Sequence, residues 1–412
     1  MPGTMSVVPA PAESRSSPSD PGTGHAIVAG VVTALVGFTS SFAVVLTGLR
    51  AVGANPEQAA SGLLALCVTQ AVGMVWLARR FRMPITLAWS TPGAALLAGS
   101  GAVAGGWPAA VGAFVAVGVA VVLTGLLPRL GRFIASIPVP LAQAMLAGVL
   151  LPLCLEPVTA LRVSPVAVAP VIVVWLVLQR FSTRWAVPAA FATAAVVIAI
   201  DLASGNATVD RTALVPRLDL TVPQWSWQAL VGIALPLYVV TMASQNIPGT
   251  AVMASFGYRV PWRAAMAVTG IGTVVGAPAG GHAINLAAIS AALAAGPSAH
   301  PDPRRRWVAA FTAGLSYLVL AVTSAALSAL VVAAPPGVVE TVAGLALLAT
   351  LAGALVSALS DESDRLPAVL TFLVAASGVA FVGIGSAFWA LAAGLVIRLL
   401  LRAEPRRVRS GG

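Results

Sequence analysis

Twelve apolar runs, most of them near the roughly 20 residues that a bilayer-spanning helix needs, follow one another along this chain with little between them but short groups of arginine. A soluble domain carries about 25% charged residues; here 9% are charged, 58% are hydrophobic, and the mean hydropathy is +0.95. No soluble fold of 412 residues could withdraw that much apolar surface from water, whereas a bilayer accepts it. The expected fold class is an all-α polytopic membrane protein.

The runs fall at 26–49, 57–78, 107–127, 137–155, 165–181 and 184–203, then at 226–246, 262–276, 307–331, 336–357, 365–380 and 383–402. Two more apolar stretches, 84–99 and 281–295, are short and broken by Gly, Pro, Ser, Thr or Asn. With these, each half of the chain holds seven segments, for fourteen transmembrane segments in all. The expected organisation is a cytoplasmic tail at 1–24, a first repeat at 25–203, an extracytoplasmic loop at 204–225, a second repeat at 226–402 and a basic cytoplasmic tail at 403–412. The first tail is rich in Pro, Ser and Gly without an apolar centre, so it reads as disordered and not as a signal peptide.

All 23 basic residues are arginine, and the net charge is +10. With the N-terminus cytoplasmic, only Arg50, Arg162, Arg211 and Arg217 fall outside, and the other 19 lie inside. Shifting the count by one span destroys that bias, so it supports both the orientation and the number of spans. The implied location is the inner (plasma) membrane, multi-pass, with both termini in the cytoplasm. Arginines placed this way anchor a membrane protein and do not build a groove for nucleic acid. Cys67 and Cys154 sit in apolar runs without a CxxC pattern and read as packing residues.

The halves resemble one another. "ITLAWST" at 85–91 aligns with "INLAAIS" at 284–290, and "AVGANP" at 51–56 loosely matches "FGYRVP" at 256–261, at nearly equal offsets. Seven is odd, so the second copy enters from the opposite side, as an inverted repeat. Paired short segments at matching positions of such repeats point to a transporter's binding site. Segment 281–295 is expected to be a half-helix, with its N-terminus at Gly281 and His282 after the extended stretch "GAPAGG". Its mirror starts at Ser90 and Thr91, with Pro92 in the first turn. Half-helix N-termini facing each other at mid-membrane expose N–H groups and partial positive charge, and a carboxylate is a natural guest.

No acid lies in the middle of an expected span, so a carboxylate proton relay is poorly supported. His282 is the histidine of the membrane region, a candidate either to carry a proton with the anion or merely to bond the broken backbone. Asn285 is expensive in lipid unless it serves a site or bridges helices. In "MASQNIPG" at 242–249, Gln245 and Asn246 precede Pro248, suggesting another discontinuity whose amides read a carboxylate; the alternative is an ordinary helix end. In "GFTSSF" at 37–42, Ser40 and Ser41 take the mirror location, although hydroxyls in a membrane helix usually bond back to their own carbonyls. Phe38, Trp89 and Tyr238 are candidates to stack on a flat ring. Walker, HExxH and GxSxG motifs and metal-ligand clusters do not occur, so neither an enzyme nor a metal or other cofactor is expected.

"SQNIPG" at 244–249, "GGHAINLAAIS" at 280–290 and "AGPSAHPDPRRR" at 295–306 resemble signature stretches of the benzoate transporter (BenE) family of proton symporters. The resemblance runs along the whole chain from about residue 26. It implies benzoate or a similar aromatic carboxylate entering with protons. It also implies the seven-plus-seven inverted-repeat fold shared with nucleobase and sulfate transporters, in which a core carrying the substrate moves against a gate domain, often within a homodimer. Nucleobase transporters place acids in their eighth and tenth segments; here Gln245 and Asn285 stand there, with His282 nearby, which fits an anionic guest that a carboxylate lining would repel. The expected substrate site comprises Ser40, Ser41, Ser90, Thr91, Gln245, Asn246, Gly281, His282 and Asn285, with His282 the proton-coupling candidate. The alternatives are a carrier or channel for another small anion, such as sulfate, or a membrane scaffold, for which paired half-helices would have no use.

Overall fold

A computed structural model describes residues 22–205 and 214–402. The first half runs α1 (Gly22–Thr39), α2 (Phe42–Ala51), α3 (Pro56–Phe81), β1 (Leu87–Trp89), α4 (Thr91–Ser100), α5 (Gly106–Leu126), a short α6 (Pro128–Ala135), α7 (Val139–Val163), α8 (Pro165–Phe181) and α9 (Thr183–Ala203). The second opens with α10 (Trp227–Ala229), α11 (Leu235–Thr241) and α12 (Ile247–Ser255), joined into one rod by π-helical turns at Leu230–Ala234 and Met242–Asn246. Then come α13 (Trp262–Gly276), β2 (Ile284–Leu286), α14 (Ile289–Ala295), α15 (Trp307–Val322), α16 (Ser324–Ala333), α17 (Val338–Ala358), α18 (Arg365–Ala376) and α19 (Ser386–Arg402).

Among the described residues, seven helices are long and apolar enough to cross a membrane unaided, and the pair α15–α16, bent by 53°, makes an eighth. The remaining crossings are shorter: α8, α13, α18, α19 and the two strand-plus-helix units β1–α4 and β2–α14. The result is the expected 7+7 inverted repeat. Both halves leave their first segment through a left-handed glycine, Gly53 at φ +110° and Gly257 at φ +83°. The second segment then starts at a proline-rich turn. Asn55 accepts the N–H of Gln58 at 2.8 Å while the Gln58 side chain takes the N–H of Asn55 at 3.0 Å, a reciprocal cap with Pro56 in the first turn.

The helices pack in two groups. In one, α5 lies on α13, α15 on both α3 and α1, and α2 on α4; in the other, α7 packs on α17 and α18, α18 on α19, and α8 on α9. The second group has an apolar cluster of its own, including Val168, Val171, Ala190, Ala194 and Val342. The groups meet where α4 touches α7, α1 touches α9 and α2 touches α17. On the face opposite the termini, the segment 214–226 straps the first group. Ser61 Oγ donates to Ala279 O at 2.8 Å and accepts Asp219 N–H at 2.9 Å, Thr221 N–H bonds Pro278 O at 2.8 Å, and Trp107 Nε1 donates to Thr221 Oγ1 at 2.9 Å.

Several sequence expectations are corrected. The eighth segment does not stop at 246: its rod continues to Ser255, because the prolines at 236 and 248 are absorbed by wider π turns immediately before them. A proline removes one N–H and crowds the carbonyl four residues back, and a π turn gives that carbonyl room. The first segment is not continuous but breaks at Ser40–Ser41 between α1 and α2. The eleventh bends at Thr323. Helix α1 begins at Gly22, inside the expected tail; the rest of that tail, and residues 206–213 and 403–412, fall outside the described residues.

One close crossing is that of α5 and α13, where a Cβ on Gly118 would stand 2.8 Å from Gly270 O and one on Gly270 2.7 Å from Gly118 O. Backbones approach this closely only where both side chains are absent. Gly270→Val should therefore lower stability by about 1–3 kcal/mol, the usual cost of overpacking. Gly353→Val, where a Cβ meets nothing within 4 Å, should leave it unchanged. Thermal unfolding of the detergent-solubilised variants reads the difference.

Candidate functional site

The centre of the molecule is a two-stranded antiparallel ladder in which Leu87 faces Leu286, Ala88 faces Asn285 and Trp89 faces Ile284. It is extended at its ends by Ser90 N–H to Ala283 O at 2.8 Å and Ala287 N–H to Thr86 O at 3.0 Å. Strands at this depth leave an outer edge with no water to solvate it, and each bare N–H there is costly. The edge of β2 is closed by side chains: Ile284 N–H donates to Thr273 Oγ1 at 3.1 Å, and Leu286 N–H to Asn246 Oδ1 at 2.9 Å.

From this ladder α4 and α14 depart toward opposite faces. Ser90, fully buried, caps α4 by accepting Gly93 N–H at 3.2 Å, with Pro92 in the first turn, as the sequence suggested. Thr241 of α11 donates to Ser90 Oγ at 2.8 Å, and Trp89 Nε1 to Ser41 Oγ at 2.8 Å. The break between α1 and α2, the start of α4 and the rod thus meet at one place. Ser40 and Thr39 bond back to carbonyls of α1, Gly37 O and Leu35 O, so of the three hydroxyls at the break only Ser41 reaches across to β1. Around it Phe38 meets Trp89 edge to face at 5.6 Å and stacks on Phe42 at 5.5 Å, while Tyr317 of α15 stands 5.9 Å from Trp89. A small apolar crevice of about 20 Å³ opens beside Phe42 between the two helix groups, lined also by Phe191, Ile198, Leu327 and Val342. Tyr238 is elsewhere, bonded to Thr124 of α5.

On the second half the geometry differs from the sequence expectation. Helix α14 starts at Ile289, so Gly281 and His282 precede β2 and do not form a helix N-terminus. The intervening residues are needed as strand to complete the ladder. Gly280 turns the chain at φ +91°, where a Cβ would lie 3.0 Å from Trp107 and 3.1 Å from Gln58 O. His282 is fully buried, edge to face with Phe114 of α5 at 6.4 Å. Its Nδ1 lies 2.5 Å from Ala283 N and 3.1 Å from Ala283 O, and its Nε2 has no protein partner. Asn285 is equally buried; its Nδ2 donates to Leu286 O at 2.8 Å and its Oδ1 has no protein partner. Asn246 is committed to the strand edge through Oδ1 and to Met242 Sδ through Nδ2 at 3.2 Å. Gln245 is half-buried, in the same π turn as Ser244, whose buried hydroxyl has no protein partner.

Sequence reasoning missed two contributors. Gln70 of α3 is fully buried with neither amide atom bonded, and it lies one turn from Gly73, whose missing Cβ makes room for Leu87 of β1. A lone glutamine in an apolar run was the available signal. Arg306 is buried and closes α14 from behind: Nη1 donates to Ala295 O at 2.8 Å, Nε to His300 O at 2.7 Å and Nη2 to Pro301 O at 3.3 Å. Buried acids are scarce; Asp364, at the face that carries the termini, is held by Arg398 at 2.8 Å and Arg402 at 3.0 Å.

Comparison with known proteins gives this architecture its context. The model of a family described as benzoate membrane transport protein (BenE) matches residues 21–400. The chain is similar to the inner membrane protein YdcO of Escherichia coli (strain K12), 37% identical over 384 residues, 93% of this chain and 97% of that protein. It is also similar to the benzoate membrane transport protein of Acinetobacter baylyi (strain ATCC 33305 / BD413 / ADP1), 29% identical over 381 residues, 91% of this chain and 95% of that one. Among solved structures, the transmembrane domain of the cyanobacterium bicarbonate transporter BicA superposes with a TM-score of 0.56 at 14% identity, covering 92% of this chain and 96% of that one. SLC26A9 superposes at 0.63 and 13% identity, over 92% and 64%. The fold is that of a multi-pass membrane transporter of small anions and solutes.

Two substitutions test whether the ladder depends on its side-chain supports. Asn246→Ala leaves the Leu286 N–H bare and should destabilise the protein by about 1–3 kcal/mol. Arg306→Lys, which offers one ammonium where three carbonyls need a planar fork, should behave like Arg306→Ala and not like wild type. Thermal unfolding in detergent measures both.

Proposed function

The chain belongs to the benzoate membrane transport (BenE) family, and on that premise we propose that it is a secondary transporter importing benzoate or a similar aromatic carboxylate with protons across the inner membrane. Import in this sense goes with both termini in the cytoplasm, the orientation favoured by the 19 arginines on that side. The observation that carries the reading is the buried N-terminus of α4, capped by Ser90 and flanked by Trp89, Phe38 and Tyr317, with an apolar crevice beside Phe42. A helix N-terminus in a site shielded from water favours an anion; the rings and the apolar lining beside Phe42 favour an aryl group over an inorganic ion. Thr91 opens the first turn, and Ser41, Ser244, Gln245 and Asn285 supply polar groups around it. Asn246 contributes by holding β2 in place, and Ser40 and Gly281 by shaping the chain at the break and before the strand.

The proton is carried by His282. A neutral ring accepts the Ala283 N–H at Nδ1; a protonated ring donates from Nδ1 to the Ala283 carbonyl, which is also in reach. That same carbonyl accepts the N–H of Ser90, the cap of α4. Charging His282 therefore adds a cation one peptide away from the carboxylate's helix end, so the proton and the anion favour each other's binding.

Uptake of radiolabelled benzoate into proteoliposomes under an imposed pH gradient should exceed that of empty liposomes and collapse with a protonophore. His282→Ala should retain benzoate exchange and lose gradient-driven accumulation; full accumulation in that variant would remove the proton role. Competition by sulfate or bicarbonate in place of aromatic acids would move the substrate class to small inorganic anions.

A further inference from the structure

A second cavity, about 770 Å³ with its open mouth, lies on the face that carries the termini, between the two helix groups. One wall is α1, whose residues His25, Val28, Ala29 and Val32 share a face at helical spacing; the other is the start of α9, with Arg184 and Trp185. Leu293 of α14 and Ser298 just beyond it form the floor. Gly24, also in the lining, borders open space, since a Cβ there would meet nothing within 4 Å. The cavity thus touches the first segment and the tenth, the two elements that reach the centre at Ser41 and at β2, together with a helix of the opposing group.

Its electrostatics are one-sided. Arg184 sits in the first turn of α9, where the helix already carries partial positive charge. It makes no ion pair with a described residue, and no acid among the described residues lines the cavity. Arg184 is exposed, so its charge and the partial positive charge of the helix N-terminus are both open to an anion entering the cavity. Beside it the indole of Trp185 and the side chains of Val28, Val32 and Leu293 give a flat, apolar surface, so charge and ring have separate partners in one volume of ligand size.

We propose that this cavity is a second binding site, in which Arg184 holds the carboxylate of an aromatic acid, His25 faces it from α1, and Trp185 packs on its ring as it passes between the centre and the cytoplasm. The proposal rests on the substrate class and orientation given above. Arg184 acts there as a binding residue for the departing or counter-flowing anion, separate from the machinery at β1 and β2.

Accessibility of the cavity floor tests it without requiring net transport. Ser298→Cys in the full chain, in neutral-lipid proteoliposomes, gives an exposed thiol, whereas Cys67 and Cys154 are buried. Benzoate should slow maleimide labelling of that thiol, and its neutral isostere benzamide should not. Adding Arg184→Gln should raise the benzoate concentration needed for protection about tenfold, the loss of one charge-assisted hydrogen bond. Adding Asn285→Ala, at the centre, should leave protection intact. Labelling indifferent to benzoate, protection that survives Arg184→Gln, or protection lost with Asn285→Ala would overturn the proposal. So would labelling that responds to anionic lipid and not to benzoate, which would give the cavity to a phospholipid headgroup. Protection without benzoate uptake would leave this site standing and remove the transport reading, and uptake without protection the reverse.

Discussion

Everything at the centre of this protein depends on hydrogen-bonding an extended backbone where no water can help. Two helices stop near mid-membrane, and the residues between them and the opposite face have to be strand. The ladder of Leu87–Trp89 with Ile284–Leu286 satisfies the inner edges, and Thr273 and Asn246 satisfy the outer edge of β2. Once those bonds are made, α4 can begin at Ser90 in the interior, with its dipole aimed at the middle of the protein. In the proposed reading the positive potential for an anion then comes from backbone, without a lysine or arginine beside Ser90.

The same economy appears at the back of the second half-helix. Helix α14 is only seven residues long, too short to be stable alone, and its last carbonyls would be bare in the interior. Arg306 covers Ala295 O together with two carbonyls of the following turn. The one deeply buried arginine among the described residues thus serves a helix C-terminus, where its charge complements the dipole. It leaves the N-terminal side free of side-chain cations.

Much of this was legible in the sequence, and the misses have physical reasons. Apolar runs, arginine asymmetry and the match of "ITLAWST" with "INLAAIS" gave the crossings, their number and the pairing of the short segments. That alignment sets Thr91 opposite Ser290, one residue after α14 begins at Ile289; placing the helix start at Gly281 followed the glycines and ignored the strand that must come first. The break at Ser40–Ser41 left no proline or glycine signature, because its cause is tertiary: the Trp89 indole bonding Ser41. Pro248 signalled a real perturbation, but proline alone cannot say whether a helix ends or widens by one residue. Long-range partners such as Asn246 for Leu286, or Arg306 for Ala295, are invisible without the fold.

The bond between Asn246 and Leu286 has a mechanical side. Asn246 belongs to a rod that runs without interruption from Trp227 to Ser255, 29 residues and about 43 Å at 1.5 Å per residue, enough to reach both membrane surfaces. β2 is therefore riveted to the only continuous member of the second half that spans the full thickness beside it. A displacement of the strand pulls on this rod through that bond. The state of the middle is in this way available at either surface, to any loop, lipid or neighbouring chain that rests on the rod's ends.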